Sequence, residues 1–162
     1  MSFAVEHHAD RNTPSLPELP TRTDKQKQVL VSAIRDIDKF TNFQYLTDRY
    51  LRDEEYKQGQ VLANKLDPKG EMGRIEPVSQ LRQFLAGGTL LRAECRSYEA
   101  YMLQYLAWIY DVNFGHTLNE IVRTGAVDNL LAYFYQQLPV NDAQAIRRKT
   151  VEYLHTRGNV RA

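Results

Sequence analysis

Residues 93–110 read AECRSYEAYMLQYLAWIY. They hold the chain's only cysteine, Cys95, its only tryptophan, Trp108, and four of its ten tyrosines, Tyr98, Tyr101, Tyr105 and Tyr110. One chemistry suits that set. A thiol could anchor a pigment or another large planar ligand, with flat rings as its walls. The other reading is packing. Aromatic side chains carry large apolar areas and build cores, and a free cysteine inside an apolar helix behaves as a small buried hydrophobe. Burial would also raise the thiol pKa and leave it inert as a nucleophile.

Other candidate chemistry is thinner. Glu54 and Glu55 are adjacent, so on a helix they point in different directions and do not form an acid/base dyad. Haem would need a histidine facing a pocket, and His116 in a predicted loop and His155 near the end are poorly placed for it. His7 and His8 are two ligands where a structural metal site takes about four. Gly87-Gly88 lacks the rest of a phosphate loop. Arg147, Arg148 and Lys149 form the one basic cluster, and on a terminal helix they read as a solvated face complementing the helix dipole. With 21 basic and 20 acidic residues the net charge is +1. Nucleic-acid binding normally shows a basic excess, so no nucleic-acid partner is expected.

The elements that must position these residues all read as helices. A chain of 162 residues suits one domain with a real core. Residues 1–22 carry Pro14, Pro17 and Pro20, which suits an extended N-terminal arm, leaving 23–162 as a single helical domain. From Thr23, the residues Val29, Leu30, Ala33, Ile34, Ile37 and Phe40 recur at helical spacing and predict a buried face. A second helix is expected over 42–66, with Phe43, Leu46 and Tyr50 on one side. The stretch DPKGEMG, 67–73, reads as a turn. A short helix follows Pro77 and stops at Gly87-Gly88. The longest apolar helix is predicted over 90–110, capped by Thr89 and carrying Cys95 inside it. Helices over 117–124, 126–138 and 142–157 complete the chain, with Gly115 as a breaker and Pro139 as a separator. Apolar residues go nearly all the way round the 90–110 helix, so it is the expected centre of the domain. The class predicted is all-α, as a globin-like or orthogonal helical bundle.

From Cys95 onward the sequence resembles the phycobiliproteins, the bilin-carrying subunits of light-harvesting phycobilisomes. The resemblance lies in Cys95 early in the central helix, Tyr101 and Leu103 six and eight residues later, and LNEIVRTG at 118–125 for the family's Leu-Asp-Glu-x-x-x-x-Gly. An apolar helix, a proline turn and a closing helix then follow in the family's order. The likeness spans about 87–155. It implies a globin-like fold and a subunit or accessory role in a light-harvesting assembly, with protein partners, homo- or hetero-oligomers, and a linear tetrapyrrole (bilin). On that implication Cys95 would form the thioether, Arg96 would neutralise a propionate, and Tyr98, Tyr101 and Trp108 would wall the rings. The family motif Cys-x-Arg-Asp is not kept: the chain reads Cys95-Arg96-Ser97-Tyr98. Arg96 stands one place early, and the only nearby acid is Glu99, which would serve only in a shifted helix register.

The function expected is therefore that of a phycobiliprotein-like subunit or accessory, not an enzyme. Alternatives are a pigment-free helical adaptor or regulatory protein, and a small-ligand sensor on the same scaffold. No run of eighteen apolar residues suggests a membrane span. The first residues do not read as a secretory signal, and one cysteine forms no internal disulfide. A cytoplasmic location is expected. The consecutive aromatics Tyr133, Phe134 and Tyr135 cannot all face one core, so at least one should reach the surface.

Overall fold

A computed structural model describes residues 22–63, 66 and 74–158. Among these the chain is all-α, as predicted, with no strand. The helices are α1 (Arg22–Arg52), α2 (Glu54–Ala63), α3 (Val78–Leu85), α4 (Tyr98–Ala107), α5 (Gly115–Arg123), α6 (Ala126–Gln137) and α7 (Val140–Gly158), with short 3-10 turns at Arg92–Glu94 and Trp108–Asp111. The expected arm lies outside the described residues except for Arg22, which opens α1, and the 67–73 turn also lies outside them.

The break expected near Thr41 does not occur. Neither Thr41 nor Asn42 is a helix breaker, and α1 runs on to Arg52. The interruption sits at Asp53, whose Oδ1 accepts from the Tyr56 N–H at 3.0 Å and so caps α2. The short helix after Pro77 is where the sequence places it. It ends as Gly87 takes φ +80 and donates its N–H to the Phe84 carbonyl.

The central helix is shorter than predicted. Ser97 is its N-cap, with extended backbone, and its Oγ accepts from the Ala100 N–H at 3.1 Å. The same oxygen accepts from the Glu76 N–H, and the Arg96 N–H donates to the Glu76 carbonyl. These bonds hold residues 95–97 extended against the entry to α3, so Cys95 precedes α4 rather than lying within it. Leu91 and Ala93, expected on that helix, are exposed in the segment before it. All ten residues of α4 are nevertheless buried, which makes it the central helix the pattern predicts. Phe84, Leu90, Ile109, Leu118, Ile121, Phe134 and Ile146 pack the core with it.

Gly115, expected as a breaker, opens α5 instead. A Cβ there would meet the Arg157 carbonyl oxygen at 3.2 Å, so glycine lets the end of α7 approach closely. The last two helices fall within a few residues of their predicted bounds, and Pro139 ends the link between them by accepting the Asp142 and Ala143 N–H groups at its carbonyl.

The largest departure concerns α1, whose predicted inward face points outward. Val29, Leu30 and Ile37 are 57%, 46% and 63% exposed. The residues turned inward are Val31, Arg35, Asp36, Lys39 and Phe43, while Leu46 and Tyr50 lie outside the described side chains. The cause is a polar network. The Asp111 carboxylate receives Arg35 Nη2 at 3.0 Å and Lys39 Nζ at 3.0 Å. The Asp36 carboxylate accepts from Asn113 N–H and Nδ2 and from Phe114 N–H, at 2.9–3.1 Å. Two cations and two anions neutralise one another, and every listed contact is a hydrogen bond or ion pair of good length, the condition under which charges can be buried. Asp36 thereby satisfies backbone donors at the start of α5 that no side chain of α5 itself caps.

Candidate functional site

The rings around α4 form a continuous column. Tyr98 and Tyr101 have centroids 6.2 Å apart, Tyr101 and Tyr105 5.0 Å, and Tyr105 and Trp108 4.7 Å, the last two pairs edge to face. Trp108 continues the column edge-on to Phe43 of α1 at 6.4 Å, and Tyr133 of α6 meets Tyr98 at 6.3 Å. Such T-shaped pairs bring the positive edge of one ring to the negative face of the next. Two cations close the exposed side: Lys57 Nζ lies 5.1 Å from the Tyr98 ring centre, and the Arg92 guanidinium carbon lies 5.3 Å from that of Tyr101.

The hydroxyls are arranged within the column. Tyr101 donates to Gln60 Oε1 of α2 at 3.2 Å, so its oxygen is left to accept from Tyr105, 2.8 Å away. Burial pushes the Tyr98 and Tyr133 hydroxyls well above the usual phenol range. Neighbouring hydroxyls, led by Tyr133, add to the effect at Tyr98, and the Glu99 and Glu54 carboxylates add to it at Tyr133. Cys95 is buried, with Sγ 3.6 Å from the Leu91 carbonyl as a weak donor. Burial raises its thiol from 9.0 to about 11, with Glu94 adding and Arg92 opposing.

The structure brings four of the sequence-predicted residues into close register. Tyr98, Tyr101 and Trp108 share the ring column, and Cys95 lies just before its helix. Glu99 is buried on α4, where its carboxylate acts on Tyr133. Arg96 stands apart: its side chain is exposed and its backbone N–H is engaged with Glu76. Sequence reasoning missed Lys57, Gln60, Arg92 and Tyr133, which join the column from other elements. Their contribution depends on how α2 and α6 dock, which no local spacing encodes.

This arrangement does not fit a linear tetrapyrrole held on Cys95. The ring faces are occupied by other rings, Tyr101 is fully buried, and the thiol is held in its unreactive neutral form. A planar ligand would have to part these ring pairs. Among the described residues no group of three or more His, Cys, Asp or Glu could hold a metal ion, and no helix is long and apolar enough to cross a membrane. His116 falls in the first turn of α5 rather than in a loop, and like His155 it is exposed. Tyr135 of the Tyr133–Tyr135 run is exposed, with Phe134 fully buried, as the sequence predicts.

No protein-family model, curated protein or solved structure matches the chain.

Proposed function

We propose that this chain is a non-enzymatic helical assembly protein of the cytoplasm, which binds a protein partner through the outward face of α1 and carries no pigment on Cys95. The observation that carries this reading is the exposure of Val29, Leu30 and Ile37 on a helix whose inner face is held by Arg35, Asp36 and Lys39. Exposed apolar side chains in one stripe mark interaction surfaces. Water gains nothing from that stripe, and the buried polar network keeps the helix from rolling over to hide it. The phycobiliprotein resemblance gives the role its setting, as a pigment-free accessory of a light-harvesting assembly. The aromatic column then acts as core, holding α4 rigid between α2 and α6.

The test is to make the protein in a bilin-producing host and size it in native extract. The expected result is an assembly larger than the 18.8 kDa chain, with no visible absorption surviving denaturation and an unmodified Cys95 in its tryptic peptide. A bilin bonded to Cys95, or a free monomer in the extract, overturns the reading.

A further inference from the structure

Gln26, Leu30, Ala33, Ile37, Phe40 and Gln44 follow one another along α1 at alternating steps of four and three residues, the spacing of a helix–helix seam. None of the six is charged, and charge is depleted at the centres of protein interfaces. A surface depression of about 410 Å³ is lined by Lys25, Gln26, Val29, Leu30 and Ala33. The last four stand at i, i+3, i+4 and i+7, the set that forms a hole for one knob of a facing helix.

The seam also has a symmetry that selects its occupant. Its residues are disposed in pairs about position 35. Gln26 and Gln44 are equally far from it, as are Leu30 and Phe40, and Ala33 and Ile37. An antiparallel copy of α1 therefore sets Gln26 against Gln44, Leu30 against Phe40 and Ala33 against Ile37. Amide meets amide at both ends, and the small Ala33 meets a large Ile37 on each side of the axis. Half-buried Phe40 of the second copy comes level with the Gln26–Ala33 hole. The same orientation opposes the two helix dipoles and separates the Lys25 and Lys27 pairs of the two copies, which a parallel arrangement would place together. A two-fold interface requires a patch complementary to itself, and this stripe has that property.

We propose that α1 is a self-association interface, through which the chain pairs with a second copy of itself, antiparallel, along the seam from Gln26 to Gln44. This rests on the reading of the outward α1 face as a protein-binding surface and names its partner.

Sedimentation equilibrium of the purified full chain at tens of micromolar tests it. The expected species has twice the 18.8 kDa mass of the chain. Leu30→Glu and Ile37→Glu should be monomers with unchanged helical circular dichroism, because both side chains are exposed in one copy. Orientation is read from cysteine cross-linking. Oxidising a mixture of the Gln26→Cys and Gln44→Cys proteins should give a covalent dimer, and oxidising either alone should not. Cross-linking of each variant with itself overturns the antiparallel pairing. A dimer that survives Ile37→Glu overturns the interface. A purified monomer overturns self-pairing, and if native extract still holds the chain in a larger complex, only the identity of the partner has failed. A monomer in both settings sinks the protein-binding reading as well.

Discussion

Asp36→Ala is the most informative single substitution, because the two possible orientations of α1 give opposite outcomes. In the structure Asp36 is 1% exposed. Its carboxylate accepts from three donors, the Asn113 N–H and Nδ2 and the Phe114 N–H. Truncation leaves those donors facing a small void, with two backbone N–H groups at the mouth of α5 and no replacement acceptor. An orphaned buried donor costs about 1–3 kcal/mol, and hydrogen bonds to a charged acceptor lie at the upper end. It also removes one anion from a buried set of two cations and two anions, a change of the kind that costs about 3–5 kcal/mol. The donors and the charge describe one event, so about 3–5 kcal/mol is expected for the whole. In a domain of this size that lowers the thermal midpoint by about 10 °C. Urea denaturation followed by circular dichroism measures it, with an unchanged slope confirming that the folded state stays compact. Asp36→Asn keeps the shape and one acceptor oxygen, and should lose less. If α1 instead faced the core with Val29, Leu30 and Ile37, Asp36 would be solvated, and its truncation would cost within about 0.5 kcal/mol. A loss below about 1 kcal/mol would refute both the network and the outward stripe that depends on it.

Tyr101→Phe removes the hydroxyl that donates to Gln60 and leaves the Tyr105 hydroxyl without its 2.8 Å partner, for an expected loss of about 1–2 kcal/mol in the same urea assay. Tyr101→Ala should cost about 3–5 kcal/mol as a fully buried ring, and a cost near that of an exposed residue would show that the column is not core. The Cys95 thiol is held more firmly protonated in the folded state, with its value raised from 9.0 to about 11. The stability it contributes is complete below about pH 9 and lost as pH rises towards 11, so the urea midpoint should fall across that window and fall less in Cys95→Ala. A thiol reagent at pH 8 should label the folded protein on the order of a hundredfold more slowly than the unfolded chain, and equal rates would contradict the buried thiol.

The helical class was legible because three- and four-residue apolar spacing is a local property of the chain, carried by every segment from α1 to α7. Stops were legible where a residue type dictates its own backbone, as at Gly87, whose left-handed φ few other residues adopt, and at Pro139. The burial of α4 was legible too, since a segment apolar on nearly every side has only the interior to occupy. The start of α4 was not, because two capable N-caps, Thr89 and Ser97, stand before it. The choice fell to Ser97 through its second bond, to Glu76, a partner 21 residues away. The same holds for the candidate site. The clustering of Cys95, Tyr98, Tyr101 and Trp108 in one stretch was plain, but that the rings would face one another came from the docking of α2 and α6.

The sequence by itself determined that the chain is helical, which helix is central, and that α1 owns an apolar stripe. Only the tertiary structure decided which way α1 turns. A stripe on one helix records what is apolar, whereas facing depends on partners elsewhere in the chain. Asp111, Asn113 and Phe114 lie some 75 residues further on. Together they draw Arg35, Asp36 and Lys39 inward, and the geometry of one rigid helix then carries Val29, Leu30 and Ile37 to the outside.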